Sequence, residues 1–137
     1  MKNEEKVLSR EQMCLLRGLG VDTFDASMCW IRYDADGEVI DYLSDNNEMC
    51  YEMACAEPCP TYTIGDLIEK LPKSIDIGYG EYDLEISIKG EYVEVQYEND
   101  YDDYTPFFCA NLSLIESLYS ILWWLAVNHK ELLEVKK

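Results

Sequence analysis

The 137-residue chain has the length of one domain and reads as a single domain over residues 1–137, with 48% hydrophobic residues, 11 Tyr and 3 Trp as core material. Its 28 acids against 11 Lys and Arg give a formal net charge of −17. That charge repels phosphates, which argues against direct nucleic-acid binding and against an anionic membrane surface, and leaves basic proteins or cations as charged partners.

The opening residues Met1-Lys2-Asn3-Glu4-Glu5-Lys6 are charged and precede no apolar run. They do not read as a signal peptide, so the expected location is cytoplasmic and the six cysteines are expected as reduced thiols. Ser9-Arg10-Glu11-Gln12 is a capping box, with Gln three residues after Ser. The helix it opens carries Met13, Leu15 and Leu16, and Gly18 or Gly20 can end it. A hairpin follows: Ser27 to Asp34 and Glu38 to Leu43 flank Asp36-Gly37, a favoured type I′ turn pair. A two-residue turn sets Tyr33 opposite Ile40, Ile31 opposite Tyr42 and Arg32 opposite Asp41, giving one apolar face and one face with paired charges. Residues 44–62, with Asn46-Asn47, three cysteines and two prolines, read as a long irregular loop.

Thr63 caps a short helix with Ile64, Leu67, Ile68 and Leu71 as its apolar stripe and Pro72 beyond its end. Gly78 and Gly80 mark a turn region before a second hairpin, Glu81–Ile88 and Glu91–Glu98. Taking Lys89-Gly90 as its loop puts Ile86 opposite Val93, Leu84 opposite Val95 and Tyr82 opposite Tyr97. The same register puts Glu81 opposite Glu98 and Glu85 opposite Glu94 on the outer face. Ser113 and Glu116 open a last helix, running to about Asn128. Ile115, Leu118, Tyr119, Leu122, Trp123 and Ala126 keep helical spacing, and the helix is apolar nearly all round, as central helices are. The apolar stretch from Leu112 to Val127 contains Glu116 and falls short of the ~20 residues a membrane span needs. The expected fold is α+β: an antiparallel sheet of four or more strands, the C-terminal helix packed on its apolar face, and two shorter helices. Leu118, Leu122 and Trp123 are expected to be nearly fully buried against Tyr82, Leu84, Ile86, Val93 or Val95.

Three blocks of this chain together carry a resemblance. They are Leu8-Ser9-Arg10-Glu11-Gln12 with Leu19-Gly20-Val21-Asp22 and Ala26-Ser27-Met28-Cys29-Trp30; Pro60-Thr61-Tyr62-Thr63 with Asp66-Leu67-Ile68 and Leu71-Pro72-Lys73; and the Trp-rich closing helix. The chain resembles a group of small proteins from gut Bacteroidetes genomes and their phages or mobile elements. No activity is assigned to that group, so the resemblance implies no functional residue, and the cysteine cluster is not part of its pattern.

The charge is not spread evenly. Residues 33–57 hold eight acids and no Lys or Arg, a net of −8; residues 81–104 hold nine acids and Lys89, again −8; the rest of the chain nets −1. Carboxylates opposite one another across strands cost stability, and a sequence shaped only for solubility would more often mix signs. Glu81, Asp83, Glu85, Glu94 and Glu98 are therefore the candidate partner-binding residues. Alternate residues of a strand repeat about every 6.8 Å, so two acidic strands reach about half the charge density of duplex DNA, which has one charge per ~1.7 Å.

Other motifs are weaker. Cys50, Cys55 and Cys59 could hold a metal, but the spacing is looser than paired zinc knuckles and the chain has one histidine, His129. Asp34-Ala35-Asp36-Gly37 and Asp100-Tyr101-Asp102-Asp103 resemble fragments of calcium loops without fitting the EF-hand. His129 falls near the end of the last helix, where the helix dipole favours a cation. No phosphate-binding Gly-rich loop, G-x-S-x-G or HExxH is present. The reading is a non-catalytic interaction protein that presents an acidic surface to a basic protein partner, in the manner of a phage or mobile-element inhibitor or a nucleic-acid mimic. No catalytic, cofactor or metal residue is assigned. The alternative is a small metal-binding domain using the central cysteines; a thiol-dependent enzyme ranks third.

Overall fold

Helix α1, Arg10–Gly18, begins where the capping box predicts: Ser9 Oγ accepts from Gln12 N (3.1 Å) and Gln12 Oε1 accepts from Ser9 N (3.0 Å). It buries Met13 and Leu16, and the chain leaves it through Gly20, whose φ of 91° suits a residue without Cβ. The computed structural model describes residues 7–35, 37–46, 58–78, 80–99 and 104–133. Asp36, Cys50, Cys55 and Asp100–Asp103 lie outside the described residues, and with them most of the calcium-loop fragments and of the cysteine cluster. The chain divides into two compact units, Met1–Asp66 and Leu67–Lys137, each described by itself.

In the first unit, β1 (Met28–Ala35) and β2 (Glu38–Asp45) form the predicted hairpin in the predicted register, with Ile31 opposite Tyr42, Arg32 opposite Asp41 and Tyr33 opposite Ile40. The stretch expected to be irregular ends in a strand instead. Strand β3, Cys59–Thr61, pairs antiparallel with β1, so the sheet order is β2-β1-β3. Pro60 gives no pattern signal for a strand, yet it is tolerated because β3 is an edge. Leu8 ties the segment before α1 to this edge. Its carbonyl accepts from Trp30 Nε1 (2.9 Å) and Thr61 Oγ1 (2.6 Å), and its N–H donates to Tyr62 (3.1 Å). Helix α2, Ile64–Lys70, has Thr63 at its start, with Oγ1 accepting from Asp66 N (3.1 Å). Asp66 Oδ2 in turn accepts from Thr63 N and from the N–H and hydroxyl of Ser27 (3.0, 3.0 and 2.7 Å), so one carboxylate caps the helix and anchors the approach to β1.

The second unit is a four-stranded antiparallel sheet in the order β4-β5-β6-β7, with β4 Ser74–Asp76, β5 Glu81–Lys89, β6 Tyr92–Glu98 and β7 Phe107–Asn111. The β5–β6 register differs from the predicted one by two residues. The loop is Gly90-Glu91, and Leu84 faces Tyr97, Ile86 faces Val95 and Ile88 faces Val93. A shift of two leaves every side chain on its predicted face, because strands alternate with a period of two, so the apolar pattern cannot separate the two registers. The turn does: Gly90 stands first in the loop with φ 61°, the positive value that tight hairpin turns require.

Helix α3, Leu114–Asn128, lies against β6 and β7 and buries Ile115, Leu118, Ile121, Leu122, Leu125 and Ala126. Ser113 caps it, accepting from Glu116 N (3.4 Å). Trp123 is not buried as expected; it is 42% exposed. Its neighbour Trp124 faces the sheet, with its ring 5.4 Å from Phe107 and 6.4 Å from Tyr97. One residue is about 100° around a helix, so both tryptophans cannot face the sheet. Tyr97 is buried and donates its hydroxyl to the Pro72 carbonyl (2.7 Å). Among the described residues no helix is long and apolar enough to cross a membrane. The architecture is α+β, with antiparallel sheets of three and four strands and the C-terminal helix on one face of the larger.

Candidate functional site

The two acid-rich segments differ in what their carboxylates meet. In the first hairpin, Asp41 is held by two arginines. Arg32 grips it with two hydrogen bonds of 3.1 Å, and Arg10, the first residue of α1, adds one of 3.0 Å. Burial pushes the Asp41 carboxyl up, but the hydrogen bonds and charges of Arg32 and Arg10 outweigh it and hold it below its ordinary value. Asp41 thus fastens α1 to the β1–β2 hairpin.

Among the described residues the second hairpin shows no such pairing with arginine. Alternation along β5 sends Tyr82, Leu84, Ile86 and Ile88 to one face and Glu81, Asp83, Glu85, Ser87 and Lys89 to the other. On β6 the buried Val93, Val95 and Tyr97 share the face that α3 covers, so Tyr92, Glu94, Gln96 and Glu98 are on the outer one. All five predicted residues are therefore brought onto one face. Glu81, Asp83 and Glu85 are exposed, and Glu94 and Glu98 are half-buried. Among the described residues none of the five is in an ion pair.

The corrected register changes which acids meet. Glu81 does not face Glu98, and Glu85 does not face Glu94. Asp83 faces Glu98, Glu85 faces Gln96 and Ser87 faces Glu94. Across the other edge of β5, Glu81 faces Asp76 of β4 and Asp83 faces Ser74. Two like-charged pairs therefore remain, Asp83–Glu98 and Asp76–Glu81, joined through Ser74 Oγ, which donates to Glu81 Oε2 at 3.4 Å.

Three members of this face were not foreseen from sequence. Asp76 is on β4, a three-residue strand too short to show a period. Tyr92 is 41% exposed and shares the parity of Glu94 and Glu98, so the alternation itself could have found it. Phe108 is 53% exposed and continues the row Glu85–Gln96–Phe108 across β7. Phe107-Phe108-Cys109-Ala110 has no alternation of polar and apolar residues, so nothing in it marks a two-faced strand. The result is a field of six carboxylates with two exposed aromatic rings toward the β7 side and the hairpin turn. Aromatic residues are in general enriched in protein contact surfaces, and clustered carboxylates attract cationic groups.

Among the described residues no group of three His, Cys, Asp or Glu side chains could hold a metal ion. Cys14, Cys59 and Cys109 are free thiols among the described residues, and Cys29 is buried. His129 caps the C-terminus of α3 and packs its ring on Trp124 at 5.2 Å. Comparison of the chain with family models, curated proteins and solved structures finds no match.

Proposed function

We propose that this chain is a non-catalytic interaction protein and that the outer face of the four-stranded sheet receives a basic protein. The observation that carries the reading is an open sheet face with six carboxylates, none of them ion-paired among the described residues, beside exposed Tyr92 and Phe108. Leaving Asp83 opposite Glu98 costs stability in the free protein. A cationic partner would turn that cost into binding free energy by neutralising both groups. The carboxylates of β5 repeat about every 6.8 Å and give way to Ser87 and Lys89. That spacing suits a patch of Lys and Arg on a protein better than an imitation of a DNA backbone, with its charge every ~1.7 Å. Cytoplasmic residence goes with this reading, as does an inhibitory role on a phage or mobile element of gut Bacteroidetes.

The test is affinity capture from the organism that encodes the chain. Wild-type bait is compared with bait in which Glu81, Asp83, Glu85, Glu94 and Glu98 are changed to their amides. A basic protein held by the wild type should be lost from the variant. It should elute as salt is raised from ~0.05 to ~0.5 M, over which the Debye length falls from above the ~8 Å of physiological ionic strength to well below it. The same proteins bound by both baits, with no response to salt, would rule the face out.

A further inference from the structure

Within the first unit, a second arrangement owes nothing to the acidic face. Cys14 is on the exposed side of α1, while Cys59 opens β3 and is fully buried. Helix α1 lies against β3, and Arg17, one helical turn after Cys14, bridges the two. Its Nη2 is 3.3 Å from Cys14 Sγ and 3.6 Å from Cys59 Sγ. Two sulfurs in contact with one nitrogen are within reach of each other. The Cys14 thiol is also among the groups that act directly on Cys59.

We propose that Cys14 and Cys59 are a dithiol–disulfide pair, oxidised by exchange with a low-molecular-weight disulfide, and that Arg17 is the positioning residue holding the two sulfurs together. The burial of the two sulfurs sets the order of events. Burial pushes the Cys59 thiol up, and the charges of Arg17 and Arg10 only partly offset this, so Cys59 is the poorer first nucleophile. Exposed Cys14 loses its proton and attacks one sulfur of the small disulfide. The disulfide's S–S bond breaks, Cys14 keeps one half as a mixed disulfide, and the other half leaves as a thiolate. Cys59 then gives up its proton and attacks Cys14 Sγ, forming the Cys14–Cys59 bond and expelling the second small thiolate. The two released thiolates take up the two protons. The protein loses two electrons, and the small disulfide gains them. Arg17 assists both steps, because its guanidinium stabilises thiolate charge on either sulfur.

The experiment uses the full, reduced chain with oxidised glutathione as the small disulfide, at about pH 8, near the ordinary thiol pKa. Remaining thiols are alkylated and the bridges are mapped by proteolysis and mass spectrometry. The expected product is the mass of two hydrogens lighter, with the Cys14 and Cys59 peptides cross-linked. In Cys14→Ser, an exposed position that tolerates the change, Cys59 should stay unmodified. Arg17→Gln should slow cross-linking by about threefold to tenfold. If that variant unfolds, the wild-type map still decides. The proposal fails if Cys14 of the folded wild type accumulates as a stable glutathione adduct with Cys59 still free. It also fails if Cys59 pairs with Cys50 or Cys55, if Cys14 pairs only between chains, or if the same bridge forms as readily in denaturant.

Discussion

Replacing Asp83 by Asn, or Glu98 by Gln, should make the free protein more stable. The two residues stand directly opposite each other on β5 and β6, where cross-strand Cβ atoms are about 5 Å apart. Two carboxylates about 5.5 Å apart repel by roughly 0.75 kcal/mol in water, which screening at physiological salt reduces to about 0.4 kcal/mol. Asp and Asn are similarly poor strand formers, so the substitution isolates the charge. Each single variant should gain about 0.4 kcal/mol in urea melts, and the double variant should gain less than the two together, because one repulsion is removed twice. At ~1 M salt the Debye length is ~3 Å and the gain should fall to about 0.1 kcal/mol. A loss of stability in both single variants, unchanged by salt, would show that these carboxylates are satisfied in the folded protein, and the argument for a partner's cations would go with it.

Three further substitutions probe the packing and the ion cluster. Leu122→Ala in α3 removes a fully buried side chain and should cost ~2–5 kcal/mol in the same melts; Trp123→Ala, on the exposed side, should cost under about 1 kcal/mol, and equal losses would mean the helix is seated differently. Asp41→Asn should destabilise by about 1 kcal/mol near neutral pH, a modest figure because Asp41 and Arg32 are each about a third exposed. The folded Asp41 carboxyl is below its ordinary value, so its contribution is complete above about pH 4 and disappears as pH falls through the folded pKa. The gap between wild type and Asp41→Asn should therefore narrow in melts run at about pH 3, and a gap constant from about pH 7 down would refute the ion-cluster account.

The parts of this protein that sequence alone determined are those in which local chemistry has one solution. Ser9 and Gln12 start α1 because two orphan backbone and side-chain groups satisfy each other within four residues. The Asp-Gly signal in the sequence predicts a two-residue turn, which allows one register of β1 with β2, and Ala35 pairs with Glu38 in that register. The face of each carboxylate in the second hairpin was equally legible, because a strand's period of two assigns it whatever the register. The tertiary structure decided the rest. Which acids oppose each other depended on the turn at Gly90, where a shift of two residues preserves the pattern and changes every partner. The edge strands β3 and β7 form only because β1 and β6 offer them a ladder, so Phe108 joins the acidic face with no signal of its own. Trp123 and Trp124 are equally apolar, and only the direction in which α3 meets the sheet tells them apart. Cys14, Arg17 and Cys59 come together because α1 packs on β3. That contact links residues some forty positions apart, and no local propensity records it.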